Sequence, residues 1–128
     1  YYDAIGLGID FTARDIQSEL KAKGLPWELA KAFDHSAVIS PLIPKAEFAD
    51  LAQLDFSLQK NGHTVQAGNT RDMLFDYDAL IVFISQYITL RKGDLIFTGT
   101  PAGVGPVALG DKLEGFLQEK SMFTCNIK

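Results

Sequence analysis

A tight turn between two alternating segments is the feature that most limits how this chain can fold. Apolar and polar residues alternate from Leu54 to Leu58, Asn61-Gly62 follows, and an extended pattern resumes at Thr64. Asn-Gly favours a type I′ turn because both residues tolerate positive φ, and that turn matches the twist of paired strands. The pattern therefore predicts an antiparallel β-hairpin centred on Asn61-Gly62.

Further strands are predicted by short apolar or alternating runs. They cover residues 4–9, 37–43, 95–98, 112–117 and 122–127, the last two as a pair. Gly6 and Gly8 weaken the first run, and Pro41 interrupts the second, which indicates an edge strand or a bulge. Beside the hairpin, these runs predict a fold made mostly of β-strands.

Two helices are predicted. The first runs from residue 13 to about 23, with Thr12 and Asp15 as its capping residues and Gly24 as its end. The second covers residues 78–90, where apolar residues recur at helical spacing. A further short helix is allowed between residues 25 and 33. Strands and helices do not alternate, so we expect an α+β fold that is mainly β, not a doubly wound sheet.

The length of 128 residues suits one domain, residues 1–128, and the hydrophobic fraction of 47% can form a core. A net charge of −4 and the lack of a basic stripe argue against a nucleic-acid partner. The longest apolar run, residues 79–84, is too short for a membrane span. Cys125 is the only cysteine, which fits a reducing cytoplasm. The chain starts on Tyr1 without Met, so we expect it to be the later part of a longer protein.

Asp10 stands where the first strand gives way to the first helix, and Arg14 and Gln17 follow on nearby helix faces. A carboxylate, a guanidinium and an amide at a strand end suit a metal ion with an oxygen-rich small molecule. The alternative is an ordinary turn aspartate near a helix N-terminus. Lys31 lies between apolar neighbours. A partly desolvated ammonium can stabilise an enolate, although a surface lysine with a buried stem is the alternative.

A Gly- and Pro-rich loop, residues 98–106, follows the predicted strand 95–98. Its backbone N–H groups and the Thr100 hydroxyl could bind a carboxylate, or the loop could be purely structural. It lacks the Gly-Lys-Ser/Thr ending of a phosphate-binding P-loop, and no helix follows as in a dinucleotide site. His35 and His63 have no partner in sequence that predicts a catalytic pair, and His63 is expected to face solvent.

Three sequence blocks together resemble the fumarylacetoacetate hydrolase family. They are residues 9–17 (Ile-Asp-Phe-Thr-Ala-Arg-Asp-Ile-Gln), residues 23–33 with Lys-Gly-Leu-Pro-Trp and Ala-Lys-Ala-Phe, and residues 93–105 with Gly-Asp-Leu-Ile-Phe-Thr-Gly-Thr-Pro. The spacing between the blocks also fits, and the resemblance covers nearly the whole chain. It is strongest to the branch of acylpyruvases and oxaloacetate decarboxylases, whose bacterial members are often described as 2-hydroxyhepta-2,4-diene-1,7-dioate isomerases.

The resemblance implies a mixed β-sandwich roll that binds Mg²⁺, or Mn²⁺ or Ca²⁺ in some members. Asp10 matches a metal ligand, and Lys31 matches the catalytic lysine, which also touches substrate. Arg14 and Gln17 match positions that orient substrate and assist catalysis, and Thr100 matches the threonine that binds the substrate carboxylate. The implied partners are a small 2-oxo acid and a second copy in a homodimer.

The chain departs from the family in two respects. The Glu-x-Glu pair that supplies two more metal ligands is absent from its 128 residues. The catalytic histidine of the members that have one is likewise expected upstream of this sequence. Two hypotheses follow. One is a metal-dependent enzyme that cleaves or decarboxylates 2-oxo acids through a stabilised enolate, or isomerises 2-hydroxyhepta-2,4-diene-1,7-dioate by the same chemistry. The other is a truncated, non-catalytic binding or assembly module.

Overall fold

The structure is a computed structural model that describes residues 1–128. Its strands are β1 (Ala4–Ile5), β2 (Gly8–Asp10), β3 (Ala37–Ile39), β4 (Ile43–Pro44), β5 (Asp55–Lys60), β6 (His63–Asn69), β7 (Lys112–Leu117) and β8 (Lys120–Asn126). Its α-helices are α1 (Arg14–Ala22), α2 (Glu28–Lys31) and α3 (Tyr77–Ser85). Three short 3-10 turns cover Lys45–Glu47, Leu51–Gln53 and Thr70–Asp72. The predicted mainly-β α+β class is confirmed.

The largest sheet has four strands in the order β6-β5-β7-β8, and every pairing in it is antiparallel. The predicted hairpin is confirmed, since Lys60 pairs with His63 around Asn61 and Gly62. These two turn residues have φ values of 52° and 81°, the positive angles that a type I′ turn requires. The predicted strand pair at the end of the chain is confirmed as β7 and β8.

The predicted strands 4–9 and 37–43 are each divided in two, and the pieces pair with each other as β1-β4 and β2-β3. The interruption lies where Ser40 and Pro41 face Leu7. Proline has no N–H to donate to the ladder. The Ser40 hydroxyl instead donates to the Pro41 carbonyl (2.7 Å) and accepts from the Leu7 N–H (3.0 Å). A buried side chain thus satisfies the backbone where the ladder is broken.

The end of α1 is as predicted, but its beginning is not. Gly24 has a φ of 65°, and the Gly24 and Leu25 N–H groups donate to the carbonyls of Lys21 and Leu20, the bonding pattern of a Schellman motif. At the start, the N-cap residue is Ala13, without a side-chain cap. The proposed capping role of Thr12 and Asp15 is therefore wrong, because the Thr12 hydroxyl contacts Lys31 instead.

Two further expectations need correction. The predicted helix 78–90 is shorter, because it runs from Tyr77 to Ser85 with Asp76 as its cap (Oδ1 accepts from Ala79 N–H, 2.7 Å). The predicted strand 95–98 is not a strand, since no other part of the chain pairs with it. The segment between α3 and β7 is consequently one long irregular connection. The short helix allowed between residues 25 and 33 is present as α2, a third helix.

The core is small and lies between the four-stranded sheet and the β1-β4 pair. Its buried residues are Ile43, Leu54, Leu117 and Met122, with partly buried side chains around them. Only 9 of the 128 residues are buried, which leaves much of the apolar surface uncovered. On α3, for example, Val82 and Phe83 are about 60% exposed. None of the helices has the length and apolar character needed to cross a membrane.

Candidate active site

Asp10 is the last residue of β2, and the chain turns sharply after it. Its strand pairs with β3, where Asp10 lies opposite Ala37. The turn is held by two backbone hydrogen bonds, from Phe11 N–H to the Ser36 carbonyl (2.8 Å) and from Ala13 N–H to the Ala30 carbonyl (3.0 Å). The Asp10 carboxylate is therefore presented from a fixed strand end, with 47% of its side chain exposed.

Lys31 reaches this carboxylate from α2. Its Nζ lies 2.6 Å from Asp10 Oδ2 and 2.8 Å from Thr12 Oγ1. The helix that carries it is anchored by Ala30, which is completely buried. The structure therefore brings together two of the predicted site residues, Asp10 and Lys31, from positions 21 residues apart. The Lys31 ammonium therefore has two side-chain partners at this strand end.

Arg14 and Gln17 lie one turn apart at the start of α1. Arg14 Nη1 donates to Gln17 Oε1 at 2.6 Å. Gln17 is buried, whereas Arg14 is exposed. The bond occupies the amide oxygen of Gln17 and leaves its NH₂ group as the donating part. The two side chains are neighbours, as predicted. Together they offer hydrogen-bond donors of the kind that bind carboxylate and keto oxygens.

Thr100 belongs to a separate network. Its Oγ1 accepts from Gln66 Nε2 of β6 at 3.0 Å, and no hydrogen bond joins it to Asp10, Lys31 or Arg14. Thr100 is exposed. Nearby in sequence, the Phe97 ring lies directly against Gly8 of β2, where a Cβ would be 2.8 Å from it. Thr100 thus follows shortly after a residue that packs against β2, the strand that carries Asp10.

The far end of the loop is attached to the tip of the same hairpin. Asp111 accepts hydrogen bonds from Ala108 N–H (2.9 Å) and Asn61 Nδ2 (2.8 Å). The hydrogen bond from Ala108 N–H is the largest cause of a lowered pKa of the Asp111 carboxyl. The hydrogen bond from Asn61 and the charge of Lys60 lower this pKa further. Lys60 also donates to the Pro106 carbonyl at 3.1 Å. The β5-β6 hairpin therefore holds the loop at both ends.

The residues present do not form a complete site for a divalent cation. Mg²⁺ and Mn²⁺ prefer several oxygen ligands, and no group of three or more Asp, Glu, His or Cys side chains could hold a metal. Asp10 is a single carboxylate, and one of its oxygens already contacts the Lys31 ammonium. Asp10 is therefore the one carboxylate at the position where the family resemblance implies a metal ligand.

Two side chains at these positions make contacts that the sequence does not predict. Thr12 provides no helix cap and binds Lys31 instead. Gln66 lies on a predicted strand, and its side chain contacts Thr100. No local sequence pattern predicts either contact, because both depend on tertiary packing. Of the histidines, His63 is exposed as expected and its ring makes a hydrogen bond with the Asn61 carbonyl, and His35 is exposed with a φ of 64°.

Sequence comparison matches residues 3–128 to the family described as "Fumarylacetoacetate (FAA) hydrolase C-terminal". A human relative named "Oxaloacetate tautomerase FAHD1, mitochondrial" is 46% identical over 114 residues, which are 89% of this chain and 52% of that protein. The chain spans about half the length of the curated relatives it matches.

Solved structures show the same fold. The fumarylpyruvate hydrolase from Pseudomonas aeruginosa in complex with Mn²⁺ and pyruvate is 34% identical, with a TM-score of 0.91 over 97% of this chain and 53% of that one. The 2-hydroxyhepta-2,4-diene-1,7-dioate isomerase from Mycobacterium marinum is 35% identical, with a TM-score of 0.81 over 97% of this chain and 46% of that one.

Proposed function

Because the chain belongs to the fumarylacetoacetate hydrolase family, we propose that the intact protein is an enzyme acting on small 2-oxo acids through their enol or enolate form. The observation that carries this proposal is the fixed position of Lys31 at the Asp10 carboxylate, 2.6 Å away. An ammonium held in place at a strand end needs no rearrangement to meet negative charge as it develops. Such preorganised charge is usually the largest single contribution to catalysis.

Each side chain has a role in this proposal. Lys31 stabilises the enolate oxygen, and Arg14 and Gln17 orient the 2-oxo acid through their N–H donors. Thr100 binds the substrate carboxylate with its hydroxyl. Asp10 offers one oxygen ligand to a divalent cation, Mg²⁺ with Mn²⁺ or Ca²⁺ as alternatives. The Mn²⁺ in the fumarylpyruvate hydrolase structure supports use of a metal.

Among the possible reactions, we favour keto–enol tautomerisation of oxaloacetate or a similar short diacid, because the human relative carries that name. This reaction moves one proton between the 3-carbon and the 2-oxygen and breaks no C–C bond. Hydrolysis of an acylpyruvate is the second candidate, supported by the fumarylpyruvate hydrolase. Decarboxylation of oxaloacetate and isomerisation of 2-hydroxyhepta-2,4-diene-1,7-dioate pass through the same enolate, and the isomerase structure supports the latter.

One experiment separates these reactions. The intact protein is supplied with Mg²⁺ or Mn²⁺ and incubated separately with enol-oxaloacetate and with acetylpyruvate. Loss of the enol absorbance without new carboxylic products indicates tautomerisation, pyruvate with acetate indicates hydrolysis, and pyruvate with CO₂ indicates decarboxylation. If neither substrate is converted faster than in buffer containing the metal, the proposed enzyme class is wrong for these substrates.

A non-catalytic binding module is the alternative from another class. It is favoured by the single carboxylate at the site, because no group of three or more Asp, Glu, His or Cys side chains could hold a metal. The turnover assay with added metal discriminates the two, because a binding module converts neither substrate. The homodimer and the cytoplasmic location stay predictions. Light scattering coupled to size-exclusion chromatography measures the first, and imaging of the tagged protein measures the second.

A further inference from the structure

Gln66 joins the central sheet to the Gly- and Pro-rich loop. It lies on β6, half-buried, and its side chain crosses to two consecutive loop residues. Its Nε2 atom is 3.0 Å from Thr100 Oγ1 and 3.0 Å from the Pro101 carbonyl oxygen. The residues are 34 and 35 positions apart in sequence. The amide therefore makes a bridge between distant segments at the residue proposed to bind the substrate carboxylate.

The Pro101 contact fixes which way the Gln66 amide points. A backbone carbonyl only accepts hydrogen bonds, so the amide group facing it has to be the NH₂ and not the oxygen. The same nitrogen also contacts Thr100 Oγ1, and its two hydrogens are used by these two acceptors. The Thr100 oxygen therefore accepts in this bond.

This arrangement determines what the Thr100 hydroxyl can do. Its single hydrogen cannot point at a nitrogen that is already donating to its oxygen, so it points elsewhere. Thr100 is exposed, so that hydrogen is open to an incoming acceptor. An O–H group whose oxygen accepts a hydrogen bond is also a stronger donor, because hydrogen bonds in a chain polarise one another. A carboxylate, which only accepts, is the ligand that suits such a donor.

The backbone of the loop around the Gln66–Thr100 contact is packed closely against β6. Gly103 has a φ of 99°, and a Cβ at this position would lie 2.3 Å from the Val65 carbonyl oxygen. A Cβ on Gly68 would lie 3.0 Å from the Pro101 side chain. Residues 65–68 of β6 thus form a platform on which the loop rests, and Gln66 supplies the side-chain hydrogen bonds in it.

We propose that Gln66 is a positioning residue that sets the Thr100 hydroxyl as a donor for the carboxylate of a 2-oxo acid. This inference rests on the proposed function, in which Thr100 binds that carboxylate. Gln66 itself need not touch substrate. A purely structural role, in which Gln66 only fastens the loop, makes different predictions, because it would act whether or not the Thr100 hydroxyl is present.

A double-mutant cycle in the intact, metal-loaded protein tests the proposal, with Gln66→Met, Thr100→Val and the double variant assayed on the substrate that the wild type converts. Thr100→Val should raise KM about 10- to 100-fold, the range for a hydrogen bond to a charged group. Gln66→Met should raise KM about 5- to 10-fold with kcat changed less than about twofold, as expected for loss of uniform binding. In the double variant KM should equal that of Thr100→Val within about twofold.

The outcomes are distinguishable. If the KM effects multiply in the double variant, or if Gln66→Met lowers kcat and leaves KM unchanged, Gln66 does not act through Thr100 and this inference is overturned. If the wild type converts no 2-oxo acid, the proposed function fails, and the inference fails with it. Gln59→Met on the paired strand β5 is the matched control, since the Gln59 side chain makes no hydrogen bond to the loop, and its KM should stay at the wild-type value. Thermal unfolding of all variants shows that each is folded.

Discussion

The Lys31 ammonium lies 2.6 Å from Asp10 Oδ2, so the carboxylate that ends β2 is ion-paired within the chain. The side chains of Lys31 and Asp10 are 34% and 47% exposed. An ion pair that is this accessible to water contributes only about 0.2–1 kcal/mol to stability. The contact therefore joins β2 to α2 while contributing little to the stability of the fold.

Replacing Lys31 by Met should separate activity from stability. We expect kcat of the intact protein to fall at least about 100-fold, since that is the usual cost of losing one preorganised group that stabilises an oxyanion. The free energy of unfolding should change by less than about 1 kcal/mol. Steady-state assay and urea unfolding measure the two quantities. Lys23→Met is the control, because Lys23 pairs only with Glu19 on the exposed side of α1. Equal activity of both variants would refute the role of Lys31.

Asp10→Asn should weaken metal binding. Replacing a metal ligand is expected to lower Mn²⁺ affinity by at least about tenfold. Even replacing a residue that hydrogen-bonds to a ligand lowers metal affinity about 10- to 100-fold. Titration of the metal-stripped intact protein, followed by the electron paramagnetic resonance of free Mn²⁺, measures the affinity. Asp15→Asn is the control, since Asp15 is exposed, lies on the first turn of α1 and makes no hydrogen bond through its side chain. Unchanged Mn²⁺ affinity in Asp10→Asn would remove Asp10 from the list of ligands.

Gly103→Ala should displace the loop that carries Thr100. The new Cβ would lie 2.3 Å from the Val65 carbonyl oxygen, and the φ of 99° disfavours any side chain. We expect a loss of about 1–3 kcal/mol in unfolding free energy together with a raised KM. Gly105→Ala is the matched control, because a Cβ there meets nothing within 4 Å and its φ is not positive. Similar KM values for the two variants would show that the loop does not depend on its close approach to β6.

The stability of the protein should depend on Asp111 in acid. Hydrogen bonds from Ala108 and Asn61 lower the pKa of the folded Asp111 carboxyl. A group whose folded pKa is depressed contributes stability above its unfolded pKa of about 3.9, and that contribution is lost as the pH falls through the folded pKa. The Tm of wild type should exceed that of Asp111→Asn at pH 7, and the difference should shrink below about pH 4. A difference that stays constant from pH 7 to pH 3 would contradict the assignment.

The sequence predicted well those elements whose signals are local. The Asn61-Gly62 turn, the glycine stop of α1 at Gly24 and the final strand pair depend on backbone angles and alternation over a few residues, and they are present. The strand at residues 95–98 is absent because a strand requires a partner, and the apolar pattern does not reveal whether one exists. The capping role of Thr12 failed for a similar reason, since a lysine 19 positions away competes for its hydroxyl.

The contacts of the candidate site also divide into some that the sequence predicts and one that it does not. The resemblance assigns Asp10 and Lys31 to one site without predicting a contact between them, and the structure places their side chains 2.6 Å apart. Arg14 and Gln17 were predicted to be neighbours from helical spacing alone, and they are. The connection of Thr100 to Gln66 could not be foreseen, because it depends on how a loop of glycines and prolines folds back over a sheet.

The attachment of the loop to the hairpin tip has a practical consequence for protein engineering. Surface turns such as Asn61-Gly62 are common places to insert tags or reporter domains, because exposed loop tips usually tolerate insertions. Here the Asn61 side chain binds the Asp111 carboxylate and the Lys112 N–H, at 2.8 and 2.9 Å. An insertion at this turn would loosen the loop that carries Thr100 from its far end.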